Sequence, residues 1–321
     1  MNKFTKKIIA LSGAAMILCS GAANALAAEF IDMPNNWTTS ALENAAKNKL
    51  LYGEETADGM KINPDNNITR AEMAAIIVRA LGASETTDIS SYVDMDKDKW
   101  YYNEFAKAVA MGAFQGDGNR LNPNNNITFQ ECYTVISQIL KLEIHANDTT
   151  VIDKFSDSDD VASWAVSKAA AVVGSGYWDG IDGKLLPTQY ITRSQFAVLI
   201  NNIADTYIDE PGTYSEFDGK NIMIRSDDVV ISNADLEGSI VIGDGVLKNF
   251  TLDNSKTAGG IYARGGGKEI QILNGSYIEK AILITPELSL YIDGTSSFPL
   301  VPNTIYTCNK SNSVTFTPTL E

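Results

Sequence analysis

Arg70 and Arg193 are the residues of this chain best placed to do chemistry. Each follows a Thr that reads as a helix cap, in Ile68-Thr69-Arg70-Ala71-Glu72 and in Ile191-Thr192-Arg193-Ser194-Gln195. A guanidinium at the first position of a helix opposes the positive end of the macrodipole, a penalty of about 0.3–1 kcal/mol. An anionic ligand, bound where helix N–H groups point, would offset it. The simpler alternative is a pairing with a nearby Asp on a solvated surface, worth about 0–1 kcal/mol. A third copy, Ile127-Thr128-Phe129-Gln130-Glu131, carries Phe129 where the Arg belongs and offers no charge. The Thr and the Glu or Gln three residues later need no ligand, because they have the spacing of a capping box.

Other chemistry is thinner. Asp94-x-Asp96-x-Asp98 begins like a calcium loop but lacks the Gly and the terminal Glu, so it reads as a solvated acidic turn. His145 has no metal-spaced partner. Cys132 and Cys308 fall in different expected domains and read as unpaired buried thiols. No catalytic group, metal site or cofactor motif is expected. The formal net charge of −15 argues against nucleic acid, whose binding needs clustered Lys and Arg, and suits a soluble extracellular surface.

The elements that position the two Arg residues recur with a fixed period. Phe30-x-Asp32, Tyr92-x-Asp94 and Phe155-x-Asp157 are spaced by 62 and 63 residues, and each is followed by a Trp, at Trp37, Trp100 and Trp164. Pro64, Pro123 and Pro187 each stand five positions ahead of the capping Thr. Such periodicity marks a repeat protein. Each repeat reads as a helix after the Trp (Trp37 to Leu51, Trp100 to Met111, Trp164 to Val173), a Gly-containing turn and a second helix begun by the Thr. One helix pair cannot bury its apolar face alone, whereas three can share a core.

This pattern resembles the S-layer homology (SLH) domain, in three tandem copies over roughly residues 29 to 205. The resemblance implies an all-α bundle of three prongs with ligand grooves between neighbours. It further implies that the signature Arg contacts the anionic, often pyruvylated, sugar of a secondary cell-wall polymer, aided by the Asp and the Trp. Carried over by position, Arg70, Arg193, Asp32, Trp37, Asp94, Trp100, Asp157 and Trp164 are the candidate ligand residues. Helix capping by the Asp and core packing by the Trp are the alternatives. Phe129 leaves two competent sites at most.

Lys3, Lys6 and Lys7, the apolar run Ile8 to Leu18 and Ala25-Leu26-Ala27 read as a secretory signal peptide over residues 1–28. No other stretch is long enough to span a bilayer, and Phe316 to Glu321 carries no sorting motif. Repeats are expected at 29–85, 90–147 and 152–207. After Pro211-Gly212 the text changes to short apolar pairs: Val229/Ile231, Phe250/Leu252, Ile270/Ile272 and Leu290/Ile292, and in a second series Ile240/Ile242, Ile261/Ala263 and Ile282/Ile284. A shared period near 20, with Asn233, Asn254 and Asn274 suited to a stacked amide ladder, describes a small parallel β-helix over 213–321. The fold class expected is therefore an α-plus-β multidomain chain, an SLH bundle followed by a β-solenoid. The function expected is a secreted bacterial surface protein anchored on the wall polymer and displaying a structural or adhesive module. A polysaccharide-processing enzyme using the β-helix face and a self-assembling S-layer lattice subunit are the alternatives. Asp227, Asp228, Asp235 and Arg225 form no paired catalytic set there.

Overall fold

A computed structural model describes residues 30–142, 148–285, 288–297, 305–307 and 314–316. The expected signal peptide, His145 and Cys308 lie outside the described residues.

Three helix pairs form the first half: α1 (Thr39–Lys47) with α2 (Arg70–Leu81), α3 (Tyr102–Ala110) with α4 (Phe129–Ile139), and α5 (Val166–Gly174) with α6 (Arg193–Ile203). The first helix of each pair starts two residues after its Trp. Each second helix starts at its signature Thr with a capping box, the Glu72, Glu131 or Gln195 side chain accepting from the cap N–H at 2.8, 2.8 and 2.9 Å. The pairs interlock, since α3 packs on α2, α5 on α4 and α1 on α6. This half is not purely helical. The first repeat inserts a two-stranded hairpin, β1 (Glu54–Thr56) against β2 (Gly59–Lys61), between its helices.

The repeats close into a ring through their backbones. Ile68 N–H donates to Ile191 O, Ile191 N–H to Ile127 O and Ile127 N–H to Ile68 O, at 3.0–3.2 Å. Just beyond, the first two N–H groups of every signature helix donate to another repeat. Arg70 and Ala71 reach Asn125 O and Pro123 O, Phe129 and Gln130 reach Gln189 O and Pro187 O, and Arg193 and Ser194 reach Asn66 O and Pro64 O. This is the physical reason for the fixed Pro-to-Thr spacing.

The second half is a β-solenoid of about four turns. One sheet stacks β3 (Thr206–Ile208), β5 (Ile222–Ile224), β8 (Ser239–Ile242), β11 (Gly260–Ala263) and β14 (Ala281–Leu283) in parallel. A second stacks β4 (Gly212–Tyr214), β6 (Val229–Ser232), β9 (Asn249–Asp253), β12 (Glu269–Leu273) and β15 (Ser289–Ile292). A short third side holds β7 (Asp235–Leu236), β10 (Lys256–Thr257) and β13 (Tyr277–Ile278). Two final strands, β16 (Ile305–Thr307) and β17 (Val314–Phe316), pair antiparallel on β15 and β14 and so cover the last coil's edges, consistent with loss of the period after Ile292.

The pair Ile282/Ile284 is shifted by one residue from the expected register. Ile261 and Ala263 align with Ala281 and Leu283, which point into the solenoid core. Ile282 points outward, yet it is buried, because this sheet packs against the helices. Met223, Val241, Tyr262 and Ile282, one from each of four coils and in register, join the helical core. A strand buried on both faces loses its alternation, so parity cannot be read from hydrophobicity there.

The Asn ladder is also partial. Asn233, Asn254 and Asn274 all take the left-handed conformation, and Asn254 donates to Asn233 at 2.7 Å, but Asn274 turns to Asp253. A buried Ser ladder runs beside it: the backbone N–H of Ala234, Ser255 and Ser276 donates to the hydroxyls of Ser255, Ser276 and Ser296 in the next coil.

Candidate functional site

The Asp of each aromatic-x-Asp step grips a turn in its own repeat. Asp32 accepts from Ile62 and Asn63 N–H at 2.7 and 2.8 Å, Asp94 from Leu121 and Asn122 at 3.0 and 2.7 Å, and Asp157 from Leu185 and Leu186 at 2.8 Å each. The second residue gripped has φ of 51, 53 or 55° and directly precedes the Pro. The carboxylates therefore hold a left-handed turn in place; none caps a helix. The aromatic ring lies beneath a Gly that follows each first helix, so close that a Cβ at Gly53, Gly116 or Gly180 would sit 2.3–2.5 Å from Phe30, Tyr92 or Phe155.

The signature Arg reaches the gripped turn from another repeat. Arg70 Nε donates to Leu121 O at 2.9 Å and Arg193 Nε to Ile62 O at 2.8 Å. One peptide is thus held at its N–H by an Asp and at its neighbouring carbonyl by an Arg. Repeat three shows the substitution that Phe129 requires: Tyr133 Oη donates to Leu185 O at 2.7 Å, and Phe129 packs on Trp178 with centroids 5.4 Å apart. Burial pushes the Tyr133 hydroxyl and the Cys132 thiol well above their ordinary values.

Charge follows the same logic. Arg193 pairs with Glu72 at 3.1 Å, and Arg70 lies 3.9 Å from Glu131 and 5.1 Å from the Phe114 ring centroid. Burial lowers the Arg70 pKa, opposed by Glu131 and Asp94. Each of these Glu residues uses one oxygen for its capping box and presents the other to the arriving guanidinium. In the third junction, where Phe129 replaces the Arg, the capping-box residue is the neutral Gln195. The free N–H groups expected at the helix starts are already bonded across the ring, so an anion near Arg70 or Arg193 meets side-chain donors.

The Trp residues are not core. Trp37, Trp100 and Trp164 are 57, 60 and 54 % exposed. Trp100 lines a groove of about 160 Å³ with Leu51, Tyr52, Glu72, Arg79 and Arg193. This groove, groove 1, draws on all three repeats. At the other two junctions, denoted groove 2 and groove 3, the equivalent positions are Arg70, Phe114, Glu131, Gln138 and Trp164, and Phe129, Trp178, Gln195, Asn202 and Trp37; Phe114 and Trp178 stand where Leu51 does and are buried. Arg79, Tyr52 and Tyr133 escaped the sequence reading. Aligning the repeats on the capping Thr would have exposed two of them, as Arg79/Gln138/Asn202 ten positions on and Ala74/Tyr133/Ala197 five positions on.

The charged residues of the solenoid do structural work. Asp227 accepts from Leu247 and Lys248 N–H. Arg225 chelates Asp209 and donates to Arg79 O at 2.9 Å, while Arg264, 6 % exposed, chelates Asp244 and donates to Ile139 O and to Met111 O. Both Arg residues thus cap the carbonyl ends of helices, where a cation is favoured. Among the described residues no group of acidic, His and Cys side chains could hold a metal, and no helix is long and apolar enough to cross a membrane.

Fold and site together define a ring of three helical repeats with grooves between them, joined to a β-solenoid. The chain carries three S-layer homology domains, the family matching residues 29–74, 91–131 and 154–197. It is similar to the Surface-layer 125 kDa protein of Lysinibacillus sphaericus, 28% identical over 62% of this chain and 17% of that one. It is 35% identical to Cell surface glycoprotein 1 of Acetivibrio thermocellus over 43% of this chain and 6% of the relative. Against the amylopullulanase of Thermoanaerobacterium thermosulfurigenes it is 25% identical over 55% of this chain and 9% of the enzyme. The chain thus spans less than a fifth of the length of these curated relatives, and the enzymes match only through the SLH region. The domains and these relatives point to a cell-surface, S-layer-associated protein.

Proposed function

We propose that this is a secreted bacterial surface protein held non-covalently on an anionic secondary cell-wall polymer, with the solenoid as a structural or adhesive module. The observation that supports it is the composition of grooves 1 and 2. Groove 1 brings together the Arg79 and Arg193 guanidinium groups and the exposed rings of Tyr52 and Trp100 from all three repeats, which is the equipment for an acidic sugar: charge for the acid, aromatic faces for the ring. Groove 2 keeps Arg70 and the exposed Trp164, while its Phe114 is buried. Asp32, Asp94 and Asp157 contribute by fixing the turn that each arm of the ring grips. Groove 3 has no cation, with Phe129 in the place of the Arg, and is architectural. Two linked weak sites still retain a protein on a polymer through effective concentration.

The test is sedimentation of the full mature chain with purified sacculi, before and after chemical removal of the secondary polymer. Binding that disappears with the polymer supports the anchor. Binding that survives its removal means the repeats are a scaffold and the solenoid holds the wall.

A further inference from the structure

Groove 1 holds two guanidinium groups, and they are committed unequally. Arg193 uses all three nitrogens on protein: Nε on Ile62 O, Nη1 on Glu72 and Nη2 on Tyr52 O. Its charge is matched by the Glu72 carboxylate at 3.1 Å, which would also repel an arriving acid. Arg79 makes one hydrogen bond, Nη1 to Leu50 O at 3.0 Å, and has no carboxylate at ion-pair distance among the described residues. Its Nε–H and Nη2–H edge, the fork that fits a carboxylate with two parallel bonds, carries no hydrogen bond among the described residues. The Arg79 guanidinium lies over the Tyr52 ring at 4.6 Å, which restrains it before any ligand arrives. Tyr52 and Trp100 are both more than half exposed in the same groove.

We infer that Arg79 receives the acidic group of the ligand in groove 1, that Tyr52 and Trp100 flank the sugar bearing it, and that Arg193 is a positioning residue. The equivalent positions hold Gln138 and Asn202, so neither other groove has this free cation. Groove 1 therefore sets the affinity for the polymer, and groove 2 adds to it. The inference rests on the anchoring function proposed above and assigns its decisive contact to a residue outside the Thr-Arg signature.

The experiment compares the full mature wild-type chain with Arg79→Gln, Arg79→Lys and Arg193→Gln, each titrated against purified sacculi across a sodium chloride series and each melted thermally. Gln is already tolerated at the equivalent position 138. The expected result is that Arg79→Gln weakens binding about tenfold or more and flattens its salt dependence, with the melting temperature unchanged. Arg79→Lys should keep the salt dependence with reduced affinity, because the charge stays and the fork is lost. Arg193→Gln should lower the melting temperature. Wild-type affinity and salt dependence in Arg79→Gln overturn the inference alone; a wild-type chain that ignores sacculi removes the anchoring function and this inference with it.

Discussion

At the scale of single residues, the motif separates into parts that build the ring and parts left facing solvent. Asp94 and Asp96 illustrate the difference two positions apart. The Asp94 carboxylate accepts two backbone N–H groups and steadies the peptide that Arg70 also holds, whereas the exposed Asp96 carboxylate accepts, among the described residues, the N–H of Asp98 alone. Asp94→Ala should cost about 3 kcal/mol, since two part-buried donors lose a charged acceptor. Asp96→Ala should stay within about 0.5 kcal/mol. Urea unfolding of both variants checks this, and equal losses would mean that the turn is held by something other than Asp94. The capping boxes were legible from spacing alone, because a helix start is a local event. The Asp grip was not, because its partners lie 27 to 31 residues away in sequence.

At the scale of elements, each signature helix is bound at its start to a neighbouring repeat, and the three junctions are variations on one theme. Two use an Arg facing a capping Glu; the third has Phe129 in the place of the Arg and Gln195 in the place of the Glu, with the Tyr133 hydroxyl on the carbonyl that the Arg would otherwise take. The identities therefore belong together. Phe129→Arg alone should destabilise by about 3 kcal/mol or more, because it buries a cation without a partner. Adding Gln195→Glu should recover about 1–2 kcal/mol of that loss, a coupling that a double-mutant cycle measures directly. Strictly additive effects would show that the two positions do not meet.

At the scale of the whole molecule, the solenoid is seated on the helices and not merely tethered to them. Groove 1 runs along α2 from Glu72 to Arg79, and the solenoid meets the signature helices at their carbonyl ends. All three ends meet it: α6 runs on into β3, Arg79 O receives Arg225, and Ile139 O receives Arg264. Gly82 and Gly245 permit the close contact in which Gly245 N–H donates to Leu81 O at 3.1 Å. The two halves should therefore unfold together. All four Trp residues lie in the helical half, so their fluorescence reports on it alone, while the far-ultraviolet β signal reports on the solenoid. The two melts should coincide, and Arg264→Ala should lower both, costing about 3–5 kcal/mol because Asp244 and two helix carbonyls lose their partner. Separate transitions in the wild type would refute the seated arrangement.

The sequence by itself determined the three repeats, their capping boxes, the loss of charge at Phe129 and the coiled second half, because each is written in local spacing or in a period. Tertiary structure alone decided which repeat each Arg enters, that the Asp residues grip turns, that Trp100 faces Arg79 across a groove, and that Ile282 points at the helices. These depend on ring closure and on a sheet buried on both faces, which bring together residues that no fixed interval in the chain relates.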